Sequence, residues 1–337
     1  REGTLVQDKL IFVISPPRAG STLLQRMLGS HPAIFTHPEP HLITPIAHLG
    51  IYGNVDKAPF DHINAAEAMK SFVDGLPNKE EDYLDALRAY ADTLYGRMLA
   101  TSDKSRFLDK TPAYALVLPF LAKLYPKAKY VVSTRHPLAV FSSFANSFFN
   151  GDWEAAHAFN PIVERYVPAM GQFLRTSPVP HCHVAYEELV ANPEEELRRI
   201  FEYLELPHDP GAVEYGKRGK MKEGMGDPIN VQRHDRPVTD SVDVWANELR
   251  ADAKKLELAR GMIERLSDDD LLAWKWPRER IWDSYEKAGG GRIPKTVWNN
   301  YTIKRKIMLV LKKDIDKRPH GKLVRQIKYY CDVLLRE

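Results

Sequence analysis

Three short apolar runs, each followed directly by a helical pattern, constrain how this chain can fold. The runs cover 9–15, 129–135 and 183–186, and apolar residues recur at helical spacing behind each of them. Short apolar runs bounded by turn signals are typical of buried strands. Strands that alternate with helices imply a parallel sheet that is covered on both faces. We therefore predict an α/β fold, a parallel sheet flanked by helices.

Further elements are predicted between and after these strands. A short strand is expected over 106–109, and beyond the third strand Asn192 and Glu195 form a capping pattern around Pro193 at the first position of a helix. A helix is also expected between the first two strands. Its apolar residues, spaced alternately three and four apart, are Leu84, Leu87, Ala91, Leu94 and Met98.

Length and composition limit the class of protein. The 337 residues, 44% hydrophobic and 28% charged, fit one large α/β domain or a domain with a sizeable insertion. No apolar run is long enough to span a membrane, and the N-terminus lacks the pattern of a secretory signal. The two cysteines, Cys182 and Cys331, are too few for a disulfide framework and lack metal-ligand spacing. We therefore expect a cytoplasmic protein without a metal site.

The charge distribution divides the chain. Residues 292–337 hold 13 Lys and Arg against 4 Asp and Glu, whereas residues 1–291 are mildly acidic. We predict one domain over 1–291 and a basic helical tail over 292–337. The tail is either a solvated surface or a dock for an acidic protein or an anionic membrane. We expect no nucleic acid partner, because no binding motif accompanies the charge. Within the domain, the Gly-, Asp- and Pro-rich segment 208–243 is either a linker or a substrate lid.

The loop SPPRAGST at 15–22 joins the first strand to a helix. Backbone N–H groups at such a helix N-terminus bind anions. Arg18 adds a guanidinium, and Ser21 and Thr22 add hydroxyl donors. A nucleoside-triphosphatase loop would carry lysine where Ser21 stands. The loop is therefore suited to a phosphate but lacks the lysine that reaches the terminal phosphates of ATP.

A second anion site is predicted after the second strand. That strand ends in Arg135, with Ser143 eight residues later, where a magnesium-binding protein would carry a carboxylate. A helix that begins near Pro137 would let Arg135 and Ser143 face one ligand. Two phosphate sites without a metal carboxylate fit a nucleotide that carries phosphates at both ends of its ribose.

Over roughly residues 9–245, the sequence resembles the sulfotransferases that use 3′-phosphoadenosine 5′-phosphosulfate (PAPS). PPRAGST resembles the family's 5′-phosphosulfate loop, which implies that Arg18, Ala19, Gly20, Ser21 and Thr22 bind the nucleotide. TRHPLAVFSS resembles the 3′-phosphate motif and maps onto Arg135 and Ser143. DKTPAY resembles the segment whose lysine, here Lys110, lies near the transferred group. VAY at 184–186 resembles the family's segment that ends in a tyrosine near the adenine, which here would be Tyr186.

The resemblance is closer to a bacterial subgroup that includes sulfotransferase domains of polyketide synthases. Shared segments are HP at 31–32, PEPHL at 38–42 and GMGDP at 224–228, followed by His234 and Trp245. In that subgroup the histidine is implicated in acceptor activation, and in the tyrosylprotein enzymes the glutamate of the PE segment is. The resemblance thus implies catalytic roles for Lys110, Arg18, His234 and Glu39. It does not choose between His234 and Glu39 as the base, and we favour His234.

The resemblance implies sulfuryl transfer from PAPS to a hydroxyl of a small-molecule or carrier-bound acceptor, releasing 3′-phosphoadenosine 5′-phosphate (PAP) without a metal. The alternatives are a small-molecule kinase or nucleotide hydrolase on a related fold, a tyrosylprotein-type or glycan sulfotransferase, and a silent anion-binding scaffold. The aromatic residues after the second phosphate site form either core or an apolar acceptor pocket. They are Phe144, Phe148, Phe149, Trp153 and Phe159.

Overall fold

The fold is taken from a computed structural model that describes residues 7–39, 43, 46, 69–218, 235–288, 323 and 327. His234 and the GMGDP segment lie outside the described residues, as does almost all of the predicted tail over 292–337. The predicted segment 208–243 is described at its two ends.

Five parallel strands form one sheet, in the order β2-β3-β1-β4-β5. The α/β fold predicted from the sequence is therefore confirmed. Each predicted strand is present with shifted ends, so that Ser15, Arg135 and Tyr186 follow their strands rather than belonging to them. The strands are β1 (Leu10–Ile14), β2 (Ile34–Pro38), β3 (Arg106–Lys110), β4 (Lys129–Thr134) and β5 (His181–Ala185).

Helices connect the strands and cover both faces of the sheet. The α-helices described over their whole length are α1 (Ser21–Gly29), α2 (Glu80–Leu99), α3 (Leu118–Leu124), α4 (Pro137–Phe149), α5 (Trp153–Phe159), α6 (Ile162–Thr176), α7 (Tyr186–Ala191), α8 (Pro193–Tyr203), α9 (Val244–Ala251), α10 (Ala253–Glu264), α11 (Asp268–Ala273) and α12 (Asp283–Lys287). The 3₁₀ helices are Gln7–Lys9, Pro112–Leu116, Pro210–Arg218 and Arg278–Arg280. No helix in the described ranges is long and apolar enough to cross a membrane.

The central strand β1 separates two cores. Phe12 and Ile14 pack into the core on one face of the sheet, while Ile11 and Val13 pack into the core on the other. Successive side chains of a strand point to opposite faces, so a strand buried on both sides must be apolar throughout. This explains why the first run contains no alternating polar residues.

The buried face of α2 differs from the predicted one. Leu84, Leu87 and Ala91 are buried as expected, but Leu94 and Met98 are 42% and 41% exposed. Their predicted places are taken by Tyr95 and Leu99, which are buried. At 3.6 residues per turn, positions 84 and 95 lie slightly more than three full turns apart and share a face. The apolar spacing therefore predicted the helix, but Leu94 and Met98 do not lie on its buried face.

The start of α8 also differs in detail from the prediction. Pro193 occupies its first turn and Asn192 the capping position, but the Asn192 side chain makes no capping hydrogen bond. Three acidic residues, Glu194, Glu195 and Glu196, lie in the first turn instead. Carboxylates there interact favourably with the helix dipole, which compensates for the missing cap.

Candidate active site

The loop between β1 and α1 has a backbone that few residues could adopt. Gly20 has a φ of 81° and Arg18 a φ of 70°, both in the left-handed region. A Cβ atom at position 20 would lie 2.2 Å from Cδ2 of Tyr186. Glycine is therefore required at position 20, both by the dihedral angle and by the close approach of the Tyr186 ring. The first turn of α1, whose N–H groups lack partners within the helix, follows directly after Gly20.

A cavity of about 250 Å³ opens at this edge. The predicted loop residues Arg18, Gly20, Ser21 and Thr22 line one part of it, and the side chain of Ala19 is instead buried in the core. Arg135 and Ser143, predicted from the second apolar run, and Tyr186, predicted from the third, also line the cavity. The structure thus brings the two predicted phosphate sites into one cavity.

Further lining residues were missed by the sequence analysis. Tyr215 and the segment 236–241 complete the cavity wall, supplying Arg236, Asp240 and Ser241 among others. They belong to the segment 208–243 that was predicted to be a linker or lid, and no motif singled them out. Around the whole cavity the charged lining residues are Arg18, Arg135, Arg236 and Asp240, so the lining carries a net positive charge. A positive lining suits an anion with more than one phosphate.

Arg135 is held in a fixed position at the end of β4. Its Nη1 donates to the carbonyl of Arg18 at 3.1 Å, and its Nη2 donates to the carbonyl of Ser241 at 2.6 Å. The guanidinium lies over the Tyr186 ring, 4.4 Å from its centroid. Tyr186 and Ser241 share a hydrogen bond of 2.9 Å between their hydroxyls. These contacts tie the segment around Ser241 to two of the predicted nucleotide-binding residues.

Arg18 also reaches across the cavity. Its Nε donates to Oγ of Ser143 at 3.2 Å, and its guanidinium lies 5.8 Å from the centroid of the Phe148 ring. The predicted 5′ loop and the predicted 3′ site are therefore in direct contact.

Lys110 and Glu39 form a buried ion pair at the same edge of the sheet. The Lys110 side chain is 1% exposed and donates from Nζ to Oε1 of Glu39. β2 and β3 pair with Pro38 opposite Lys110, which places Glu39 next to the end of β3. Neither side chain belongs to the cavity wall that the described residues form.

Directly before Lys110, a buried carboxylate is surrounded by hydroxyls. Asp109 accepts hydrogen bonds from Tyr95 at 2.6 Å, from Tyr114 at 3.0 Å and from Thr111 at 2.9 Å. Burial raises its pKa to about 6, although the hydroxyls and Lys110 favour the charged form. The carboxyl group therefore titrates in a range where most aspartates are already ionised.

Two histidines near this edge are neutral, His136 buried after β4 and His183 partly buried within β5. Burial lowers the pKa of His136 and of His183 to about 3. His136 stacks on the Trp245 ring at 4.2 Å, and His183 shares a hydrogen bond of 2.8 Å with Thr134. In the described part of the chain, no group of three or more His, Cys, Asp or Glu side chains is placed to hold a metal ion.

The aromatic residues behind the second site belong mainly to the core. Phe144, Phe149 and Trp153 are buried, Phe159 is 44% exposed, and Phe148 packs beside Arg18. Phe144, Phe149 and Trp153 are therefore core residues, the first of the two predicted alternatives. No described contact assigns an acceptor pocket to the others.

A parallel sheet whose strand ends carry an anion-binding loop and a second cationic site defines a nucleotide-binding protein of the phosphate-loop type. The chain belongs to the sulfotransferase family, whose model matches residues 11–210. The family predicted from the motifs is therefore confirmed.

Relatives of the chain include proteins from bacteria and animals. Nodulation protein NoeE of Sinorhizobium fredii is 27% identical over 229 residues, which cover 60% of this chain and 51% of NoeE. Protein-tyrosine sulfotransferase A of Caenorhabditis elegans is 22% identical over 273 residues, covering 77% of this chain and 67% of the relative. The chain thus spans about half the length of NoeE, and 27% of an uncharacterised protein of Aquifex aeolicus.

Solved structures similar to the chain include sulfotransferases. The sulfotransferase domain from the curacin biosynthetic pathway superposes with a TM-score of 0.48 at 23% identity, covering 70% of this chain and 89% of the domain. Mouse sulfotransferase SULT7A1, solved in complex with PAP, gives a TM-score of 0.46 at 15% identity, covering 83% of this chain and 90% of its own.

Proposed function

We propose that this chain transfers a sulfuryl group from PAPS to a hydroxyl of a small-molecule or carrier-bound acceptor. One observation carries the proposal: Arg18, Ser21 and Thr22 share a single cavity with Arg135 and Ser143. A cavity with two cationic sites matches a nucleotide that carries two separate phosphates better than one that carries a single phosphate chain.

The residues of the cavity fit PAPS. The N–H groups at the start of α1, together with Ser21 and Thr22, would bind the 5′-phosphate, and Arg135 and Ser143 would bind the 3′-phosphate. Gly20 leaves room for the Tyr186 ring, which presents an aromatic surface to an adenine. When bound, PAPS supplies the sulfuryl group and a phosphate that can leave.

The reaction joins an acceptor oxygen to sulfur while the bond between sulfur and the phosphate oxygen breaks. The acceptor proton passes to a base of the chain, and negative charge develops on the departing phosphate. Like phosphoryl transfer, this step needs mainly positioning and charge stabilisation. We assign the charge stabilisation to Lys110 and Arg18. We include no metal in this proposal.

Two residues are candidates for the base. Glu39 accepts a hydrogen bond from Lys110, and that contact favours a role in holding the ammonium at the end of β3. We therefore assign the base to His234, whose ordinary pKa near 6.5 suits proton transfer at neutral pH.

A cytoplasmic location and the domain division at residue 291 are part of the proposal. The thiol of Cys182 is buried and is not part of a disulfide, which is expected in a reducing compartment. The tail over 292–337 would dock to an acidic protein or an anionic membrane, or remain a solvated surface.

The proposal is tested by the thermal shift that nucleotides produce. A ligand that binds the native state raises the melting temperature, so PAP should stabilise the protein in the absence of Mg²⁺. ATP with Mg²⁺ should stabilise it much less, and Arg135→Ala should abolish most of the PAP effect. A larger shift with ATP and Mg²⁺ than with PAP would favour the kinase alternative instead.

A further inference from the structure

Tyr114 carries a buried hydroxyl that makes two hydrogen bonds near the end of β3. Its Oη donates to Oδ2 of Asp109 at 3.0 Å and accepts from the backbone N–H of Ile43 at 3.0 Å. Tyr114 and Ile43 are both 0% exposed. Through Asp109, Tyr114 therefore joins β3 to a residue that follows Glu39 by four positions.

The direction of these two bonds follows from donor chemistry. A hydroxyl has one hydrogen and two lone pairs, whereas an ionised carboxylate only accepts. The hydrogen of Tyr114 must therefore go to Asp109, which leaves a lone pair for the N–H group of Ile43. A buried N–H group without an acceptor costs free energy, so the Tyr114 hydroxyl determines where this N–H group lies.

Glu39 is held by the next residue of the same strand. Lys110 donates from Nζ to Oε1 of Glu39, directly beyond Asp109 in β3. Successive side chains of a strand point to opposite faces, so the attachments of Glu39 and of Ile43 start from opposite faces of β3. Only three residues separate Glu39 from Ile43, and so short a chain limits how far either can move without the other.

Tyr95 offers a comparison within the same hydrogen-bond network. Its Oη donates to the same Oδ2 of Asp109 at 2.6 Å, and the residue is 2% exposed. Tyr95 lies on α2, and among the described residues no hydrogen bond joins its hydroxyl to Ile43 or Glu39. Tyr95 and Tyr114 therefore share their burial and their carboxylate partner but differ in the link to Ile43.

We propose that Tyr114 is a positioning residue for sulfuryl transfer: by fixing Ile43, it fixes Glu39, whose carboxylate holds the Lys110 ammonium. The inference rests on the proposed function, which assigns stabilisation of the departing phosphate to Lys110. Without the Tyr114 hydroxyl, the N–H group of Ile43 must find another acceptor, and the Glu39 carboxylate shifts with it. The ammonium then loses its fixed direction, although Tyr114 itself contacts no reacting atom.

The test compares turnover with nucleotide binding in the wild type, Tyr114→Phe and Tyr95→Phe. Turnover is the rate at which PAP forms from saturating PAPS and a fixed pool of alcohols and phenols, and calorimetry gives the dissociation constant of PAP. Tyr95→Phe is the matched control, because each substitution removes one oxygen atom and one hydrogen bond to Asp109. Measurement at pH 8 keeps Asp109 ionised, since burial raises its pKa to about 6. Glu39→Gln and the double variant Glu39→Gln/Tyr114→Phe complete the series.

We expect Tyr114→Phe to lower turnover about tenfold, a modest loss for a displaced charge-stabilising group, and to change the dissociation constant of PAP by less than about twofold. Tyr95→Phe should keep turnover within about twofold of the wild type, although it also loses a buried hydrogen bond. The double variant should turn over no more slowly than Glu39→Gln alone, because Tyr114 acts through Glu39.

Three results would overturn the inference. If Tyr95→Phe and Tyr114→Phe lower turnover equally, the network acts on stability alone and the link to Ile43 has no part in the reaction. If the effects of Tyr114→Phe and Glu39→Gln multiply in the double variant, Tyr114 does not act through Glu39. A Tyr114→Phe protein that fails to fold beside a folded Tyr95→Phe protein would show a purely structural role. A wild-type protein that binds no PAP and forms none from PAPS would overturn the proposed function itself.

Discussion

Lys110 is a buried ammonium that contacts Glu39 at the end of β3. We predict that Lys110→Ala lowers turnover by about a hundredfold, on the order of 3 kcal/mol, as for the loss of one preorganised donor. The affinity for PAP should change less than turnover, because the ammonium is needed most as charge builds on the departing phosphate. Steady-state kinetics and PAP calorimetry measure the two effects separately.

The control for Lys110→Ala is a double variant that also removes the charge of Glu39, the ion-pair partner of Lys110. Removing one partner of a buried pair leaves an uncompensated charge, so Lys110→Ala/Glu39→Gln should recover stability but not turnover. A Lys110→Ala protein with full turnover would remove Lys110 from the mechanism.

His234 and Glu39 can be separated as bases by their pH dependence. We predict that His234→Ala lowers turnover by about a hundredfold and removes the single ionisation through which the wild-type rate rises with pH. Glu39→Gln should lower turnover less, because it would act only by changing the position of Lys110. Turnover measured from pH 5 to pH 9 in the wild type and both variants distinguishes the roles. If Glu39→Gln abolishes turnover while His234→Ala retains it, Glu39 is the base.

Asp109 should make stability depend on pH in an uncommon direction. Its folded-state pKa of about 6 lies above the ordinary value of 3.8. Between these values the folded protein keeps a proton that the unfolded chain has released, so stability falls as the pH rises. We predict that the wild type loses about 2 kcal/mol relative to Asp109→Asn between pH 4 and pH 7. Urea unfolding at both pH values measures this, and a wild type that gains on the variant would contradict it.

At the scale of elements, Glu248 on α9 joins three helices. Its carboxylate accepts from Ser142 and from Nε1 of Trp153, each at 3.2 Å, and also from Asn146. We predict that Glu248→Ala lowers the free energy of unfolding by about 3 kcal/mol, because these buried donors lose their acceptor. Glu248→Gln keeps one acceptor oxygen and should lose less. Denaturant titration of the three proteins provides the measurement, and equal stability of all three would refute the role of Glu248.

The elements show where sequence patterns suffice and where they fail. Strands β1 and β4 were predictable because each contains a short run of apolar residues and precedes a turn. β2 was not predicted, because its short sequence IFTHP ends in polar and cyclic residues. That omission hid the pairing of Glu39 with Lys110, which depends on the register between β2 and β3. In α2, spacing alone could not choose between Leu94 and Tyr95, and the bond from Tyr95 to Asp109 gives this residue its buried place.

At the scale of the whole molecule, the loop motifs predicted which strand ends carry the site. Arg18, Arg135 and Tyr186 follow three neighbouring strands, and in a parallel sheet such ends meet at one edge. The contribution of Tyr215 and of the segment around Ser241 was not predictable. Those residues follow no strand of the sheet, and only tertiary packing brings them to the cavity.

The central claim is that the cavity delivers a sulfuryl group to a hydroxyl. The most direct measurement incubates the protein with PAPS and pooled hydroxyl compounds, without added metal, and searches by mass spectrometry for products that have gained one SO₃ unit. The account predicts such a product with the wild-type protein and far less with Lys110→Ala. If PAP binds tightly and no hydroxyl compound is sulfated, or if ATP yields phosphorylated products instead, the central claim is wrong.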